Sequence, residues 1–153
     1  MLAHWQWADT SDLNNFYEEE LPEDFYGAVY NEVVLASGRL APEGWRMPTV
    51  ADFEELEAFL ESEGQDAHAL RSVGGWRPEA NVGTDLYGFN ALPSGYVSAF
   101  GGATGAQAIA TWSTTAVDDE LFTRTVVSMF DGDALSYDEN RIELGATVRL
   151  IRE

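Results

Sequence analysis

Cysteine and lysine are both absent from this 153-residue chain, and histidine occurs only as His4 and His68. The missing cysteine removes disulfides, thiolate nucleophiles and zinc–thiolate sites together. The missing lysine leaves arginine as the sole basic side chain: 8 basic residues face 27 Asp plus Glu, a formal net charge of −19. A basic face able to neutralise a row of phosphates cannot be built from that balance, so nucleic acid is excluded as a partner. A Ser-His-Asp arrangement would have to use His4 or His68, and neither lies in a recognisable nucleophile context. Long apolar runs are missing too: no window approaches the roughly 18 residues needed to span a bilayer, which argues against membrane insertion by a helix. The opening Met1-Leu2-Ala3-His4-Trp5 has neither the basic start nor the apolar run of a secretory signal, and the expectation is a chain made without one.

What is present supports one core. Hydrophobic residues make up 45% and aromatics 12% of the chain, enough for a single domain in a length too short for two ordinary ones. The organising stretch runs from Gly83 to Tyr96, GTDLYGFNALPSGY, and reads as a turn, a short strand and a second turn. Gly83, Gly88 and Gly95 mark places of positive φ or close approach, Asp85 can fold its carboxylate onto nearby amides, and Phe89, Leu92 and Tyr96 supply apolar mass. It holds no nucleophile, base or phosphate cradle.

Upstream, a helix is predicted to open at Thr49 as N-cap with Asp52 three residues on. Phe53, Leu56, Phe59 and Leu60 form its buried side, Glu54, Glu55, Glu57 and Glu61 its solvated side, and Gly64 follows its end. A shorter helix is expected between Phe25 and Leu40 from the spacing of Val29, Val33, Val34 and Leu35, ended by Gly38. Trp76 reads as a loop anchor and Gly101 to Gly105 as a flexible connection. Strand signals cover Ile109 to Thr114, Leu121 to Phe130 and Arg141 to Arg152, the last broken at Gly145, with turns at Asp118-Asp119-Glu120 and Asp131-Gly132-Asp133. Residues 1–25 form an acidic, aromatic N-terminal arm, and residues 26–153 form the domain proper.

Catalytic and metal chemistry find little footing. With 27 acidic residues, carboxylate pairs arise by chance and point to no glycosidase. Asp131-Gly132-Asp133 with Asp138-Glu139-Asn140 offers oxygen ligands for calcium without the spacing of a regular calcium loop. The expectation is no enzyme, no cofactor and no assigned metal site.

Four separate motifs carry a family resemblance: Pro42-Glu43-Gly44-Trp45-Arg46-Met47-Pro48-Thr49, the Gly83 to Tyr96 run, Thr111-Trp112-Ser113-Thr114-Thr115 and Gly145-Ala146-Thr147-Val148-Arg149-Leu150. In order and spacing the chain resembles the FISUMP domain (Fibrobacter succinogenes major paralogous domain), a variant of the C-type lectin-like fold, over roughly Tyr26 to Arg152. The resemblance implies an α+β fold: a single C-type lectin-like domain with two helices and a small, mostly antiparallel sheet with long irregular loops. Members are mostly parts of exported bacterial surface proteins, and the related fold elsewhere displays variable binding surfaces, including on phage tail fibres. Many relatives carry one cysteine just before the Pro-x-Gly-Trp motif and another in the closing strand. Ala41 and Leu150 stand in those places, so the resemblance implies that they are neighbours.

Two function classes follow. The first is a non-enzymatic structural or recognition protein displayed on the outside of an assembly: a virion decoration or fibre component with a C-type lectin-like binding face, located on the virion surface. The alternative is a carbohydrate-binding or adhesive domain of a bacterial or archaeal cell-surface protein, located outside the cell. By the resemblance, the ligand-binding face gathers Trp112, Ser113, Thr114, Asp118, Asp119, Tyr137, Asn140 and Arg141. The assembly contact is expected in the arm, at His4, Trp5, Trp7, Phe16 and Tyr17, since aromatics this dense are rarely left in water. The expected partners are protein subunits of a larger assembly, as a homo-oligomer or part of a symmetric particle, and a cell-surface glycan or protein receptor.

The lysine-free acidic composition also reads as an adaptation to concentrated salt. On that reading the melting temperature rises substantially between dilute buffer and about 1 M salt, where the Debye length falls to about 3 Å and self-repulsion is screened. A flat or falling melting curve over that range leaves acidic composition as a solubility feature alone.

Overall fold

Thr49 opens the longest helix with a reciprocal cap. Its hydroxyl accepts from the Asp52 N–H at 3.2 Å, and the Asp52 carboxylate accepts from the Thr49 N–H at 2.7 Å, closing donors that a helix N-terminus leaves open. Arg46 forks onto the same carboxylate through both Nη atoms at 2.6 Å. Arg46, with help from the Thr49 cap and against the cost of burial, holds the Asp52 carboxyl well below the usual carboxylate range.

The computed structural model describes residues 4–6, 28–77, 81–98, 103–130 and 132–153. In chain order these form β1 (His4–Gln6), β2 (Ala28–Tyr30), α1 (Glu32–Leu35), β3 (Trp45–Arg46), α2 (Val50–Ser62), a 3-10 turn (Ala67–Ala69), β4 (Tyr96–Val97), β5 (Ala103–Thr104), β6 (Ala110–Asp118), β7 (Thr123–Met129), β8 (Leu135–Arg141) and β9 (Ile151–Arg152). Strand pairs β1–β2, β3–β9 and β4–β5 and the three-stranded sheet β6–β7–β8 are all antiparallel. With two α-helices beside these small sheets, the architecture is α+β, as expected.

The β6–β8 sheet has two unlike faces, because successive side chains along a strand point to opposite sides. Ala110, Trp112, Val127, Met129 and Leu135 turn inward and join Phe53 and Leu60 of α2 in the core. Trp112 stacks on Phe53 at 5.9 Å between centroids and meets Phe89 edge-on at 5.6 Å. The alternate positions are mostly polar: Thr111 lies opposite Ser128, and Ser113 and Asp138 both lie opposite Val126.

The Gly83 to Tyr96 stretch wraps Arg71, which is 0% exposed. The Gly83 N–H donates to Ser72 O at 3.1 Å, Asp85 N–H to Arg71 O at 3.0 Å and Ala91 N–H to Leu70 O at 2.8 Å. A Cβ on Gly83 would sit 2.3 Å from the Arg71 Cβ, so close approach is what requires glycine there. Asp85 bends its carboxylate back onto the Asn90 N–H at 2.5 Å. Trp76, 1% exposed, anchors its loop by donating Nε1–H to Ser72 Oγ and Ala91 O, both at 3.1 Å. The Arg71 guanidinium lies 5.0 Å from the centroid of that ring and donates from Nη2 to Phe130 O and, at 2.5 Å, to Gly132 O.

Several local expectations are corrected. The helix expected between Phe25 and Leu40 is one turn, Glu32–Leu35; Val29 belongs instead to β2, whose Tyr30 N–H donates to Ala146 O at 2.8 Å. Val33 is 71% exposed while Val34 and Leu35 are buried, as one turn buries only one side. The strand expected from Arg141 to Arg152 is replaced by β8, which ends at Arg141, and by the two-residue β9. β8 pairs only with β7 and lies at the sheet edge, where polar residues such as Asp138, Glu139 and Asn140 are tolerated, which hid it in the sequence. Glu57 is not part of a wholly solvated row: it accepts the Leu135 N–H at 3.0 Å and the Tyr137 hydroxyl at 2.5 Å. The segments holding Ala41 and Leu150 meet as β3 and β9. Their register, Arg46 opposite Ile151, leads from Leu150 toward Met47, while Ala41 lies beyond the turn closed by Trp45 N–H to Pro42 O at 3.0 Å.

Replacing Arg71 by methionine removes the donors that tie the Phe130 and Gly132 carbonyls to the 3-10 turn segment. Arg71→Met is expected to lower unfolding free energy by roughly 3 kcal/mol in denaturant titration, and Arg71→Lys to recover little, because an ammonium lacks the planar fork. A loss below about 1 kcal/mol would show the clamp to be dispensable.

Candidate functional site

The eight residues expected to form one ligand face are divided by the sheet. Trp112, Ser113 and Thr114 are corrected from an exposed face to the interior, at 5%, 1% and 0% exposure. Trp112 is accounted for by packing, since truncating such a residue costs about 3–5 kcal/mol. The Thr114 hydroxyl donates to Thr125 O at 2.8 Å. Asp118 and Asp119 are exposed at the β6–β7 turn, where the Asp118 carboxylate caps the Glu120 and Leu121 N–H groups at 2.9 and 3.0 Å. Tyr137, Asn140 and Arg141 lie on β8 rather than in a loop. Tyr137 is half-buried against the core and donates to Glu57; burial first, then that hydrogen bond, pushes its phenol well above its ordinary value. Arg141 is exposed and pairs with Glu143 at 3.0 Å. Of the expected assembly contact, His4 and Trp5 lie in β1, whose backbone pairs with β2, while Trp7, Phe16 and Tyr17 fall outside the described residues.

The outer side of the sheet holds a depression of about 290 Å³, lined by Tyr96, Ile109, Thr111, Val126, Ser128, Phe130, Asp138, Glu139, Asn140 and Leu144. Its floor comes from the polar alternation of β6 and β7, and its rim from β8, β4 and the end of β7. Thr111 donates its hydroxyl to Gly95 O at 2.6 Å. Asn140 donates from Nδ2 to Asp138 O at 3.3 Å. Of the expected face, only Asn140 lines this depression. Sequence reasoning missed Tyr96, Ser128 and Phe130; the polar residues Thr111 and Ser113 at alternate positions of β6 were the available signal.

A second recess, of about 420 Å³, is lined by Glu54, Glu57, Glu61, Asp66, Asp133 and neighbours between α2 and the start of β8. At its edge Asp66, His68 and Asp133 bring ligand-type atoms within 4.8 Å of one another. His68 lies in the 3-10 turn. Its Nδ1 stands 3.9 Å from Asp66 and 3.8 Å from Asp133, and its Nε2 lies 3.2 Å from Arg71 Nη1. Arginine only donates, so Nε2 accepts and the neutral ring carries its proton on Nδ1, toward the carboxylates. A metal ion at Nδ1 would have to displace that proton and turn Nε2–H against the guanidinium, so the donor set fits a cation poorly. Asp131, the other residue considered for calcium, lies outside the described residues.

Part of the positive charge is turned inward: Arg71 and Arg124 are buried, while Arg39, Arg141 and Arg152 are exposed. Arg124 pairs with Glu32 and donates to Thr114 O, and Arg149 lies 4.3 Å over the Phe89 ring, where burial lowers its pKa. Among the described residues, no helix is long and apolar enough to cross a membrane.

These features define a small α+β domain with a polar outer sheet face and a clamped core. The chain belongs to the Fibrobacter succinogenes major domain family, whose model matches residues 5–152. No curated protein and no solved structure matches it.

Next to Asp118 and Asp119, Leu121 and Phe122 are 63% and 65% exposed, and Phe122 has φ 53°, a left-handed conformation that costs a bulky residue about 1 kcal/mol or more. Phe122→Asn is therefore expected to leave thermal stability unchanged or raise it by up to about 1 kcal/mol; a clear drop in melting temperature would mean that the ring is held by the fold.

Proposed function

We propose that the protein is a non-enzymatic recognition component displayed on the outside of an assembly, a virion decoration or fibre component, whose contact face is the outer side of β6–β8. The observation that carries this reading is the division of the sheet: one face is spent on the core, while on the other side Thr111, Val126 and Ser128, themselves buried, lie under a mixed polar and apolar depression rimmed by Tyr96, Phe130, Asp138 and Asn140. A polar surface with aromatic anchors suits recognition. The cysteine-free composition suits a protein folded in a reducing compartment before reaching the outside by assembly. The excess of 27 Asp plus Glu over 8 basic residues favours dispersal and disfavours nucleic acid. A C-type lectin-like arrangement of loops belongs to this proposal, as do symmetric copies in a particle and a position on the virion surface. The same face would serve an adhesive domain on a bacterial or archaeal cell, and the location of the antigen separates the two.

An antibody fragment raised against residues 136–141 is expected to label intact particles and block their attachment to cells. Folded Asp138→Ala/Asn140→Ala protein should still enter particles and fail in attachment. Labelling of the producing cell's envelope would favour the adhesive domain. Absence of label on both, with attachment intact, would overturn display.

A further inference from the structure

We propose that the free edge of β8 is a docking site for an extended, basic segment of another protein, which adds to the sheet as a further strand beside β8. The edge is a different surface from the outer face of the sheet, so the inference goes beyond the reading above and stands or falls apart from it.

In an antiparallel pair the backbone groups of successive residues point alternately toward the partner strand and away from it. The Leu135 N–H points away from β7, since it donates to Glu57 at 3.0 Å. The same parity turns the N–H and C=O of Tyr137, Glu139 and Arg141 outward. β6 shows this alternation at the opposite edge: Ser113, which lies opposite Val126, donates outward to Thr147 O at 3.0 Å. That edge is closed, by Thr147 and by Pro48 O, which accepts the Thr115 N–H at 2.9 Å. The β8 edge is open in its middle. The Arg141 carbonyl accepts the Leu144 N–H at 2.9 Å, but among the described residues no backbone group pairs with the outward N–H and C=O of Tyr137 and Glu139. Such a row of main-chain donors and acceptors is a template on which an extended chain can pair.

Charge selects the occupant. Off the start of this edge, where Glu57 closes the Leu135 N–H, lies the recess of about 420 Å³ with Glu54, Glu61, Asp66 and Asp133 around it. Asp138 and Glu139 are exposed along the strand itself. Among the described residues no arginine lines the recess, and Arg141 at the far end is paired with Glu143. A second copy of this chain would set the β8 carboxylates against one another, and like charges on adjacent strands are destabilising; the net charge of −19 adds to that repulsion. Charges on an edge keep like-charged strands away. The same charges attract a strand carrying lysine or arginine at alternate positions, because those side chains share one face and reach the carboxylates together.

The test titrates the full chain with fluorescently tagged Thr-Lys-Val-Lys-Val-Lys-Thr-amide and with the counterpart in which glutamate replaces each lysine, reading anisotropy and amide hydrogen exchange. The basic peptide should bind with a Kd of about 100 µM or tighter at about 50 mM salt and more weakly at about 500 mM, and the acidic one not at all. Exchange at the Tyr137 and Glu139 amides should slow about tenfold or more in the complex, which an ionic contact between side chains alone would not cause. Glu139→Pro removes an outward donor at an edge position that tolerates proline; it should weaken binding about tenfold, well beyond Glu139→Gln, which removes the charge and keeps the N–H. Glu54→Gln/Glu61→Gln should weaken binding and flatten its salt dependence. If Glu139→Pro does not fold, exchange at Tyr137 and Glu139 in the unaltered chain decides. Equal binding of the acidic peptide, unchanged exchange at these amides, or equal affinities of Glu139→Pro and Glu139→Gln would each overturn the proposal. Self-association of the chain with protection of the same amides would overturn it too, by making the occupant a second copy.

Discussion

The fold hangs on one buried cation. Arg71 is fully enclosed, lies against Trp76, donates to the carbonyls of Phe130 and Gly132, and meets His68. Each contact ties a different part of the chain to the segment running from the 3-10 turn to Ser72. The Gly83 to Ala91 stretch closes over its backbone, the end of β7 is pinned through Phe130, and the approach to β8 through Gly132. A guanidinium suits this task because its planar fork presents several donors in fixed directions, whereas burying an ammonium would satisfy fewer carbonyls at a similar desolvation cost. Phe130 is both a carbonyl acceptor for this clamp and a rim residue of the outer depression, so the clamp also holds one edge of that depression.

The same use of arginine organises the charge. Arg46 caps α2 through Asp52, Arg124 links β7 to Glu32 of α1, and Arg149 covers Phe89. With few cations, and most of these engaged in the body of the domain, the surface carries the acid. Exposed ion pairs such as Arg141–Glu143 contribute little in water and less in salt. The core cations matter more, because they are shielded from that screening and aim at groups that would otherwise be unsatisfied.

The candidate site was legible only in fragments. Of the eight residues expected on one face, only Asn140 lines the outer depression. The resemblance puts Trp112 on the binding face; Phe53 and Phe89 hold it in the core instead. Tyr137 is expected on the ligand face, yet it lies next to Asp138 on β8 with its side chain on the opposite face of the sheet, reaching Glu57. A period of two assigns alternate residues to opposite faces, and nothing local says which parity faces out until the partner strands are known.

What the sequence determined by itself was everything that depends on neighbours a few residues apart or on composition: the Thr49–Asp52 cap and the helix behind it, the turns around Gly88 and Gly95, Trp76 as an anchor, the family, and a strongly acidic charge balance. Helix caps and tight turns are decided within one or two turns of chain, so their signals survive without the rest of the molecule. The tertiary structure alone decided that Arg71 is buried, that Glu57 is tied to β8, that residues Leu135–Arg141 form a strand, and that Ser128 and Tyr96 share a depression with Asn140. Those facts join residues far apart in the chain, and their energies depend on burial and on strand register, quantities that exist only once the chain has closed on itself.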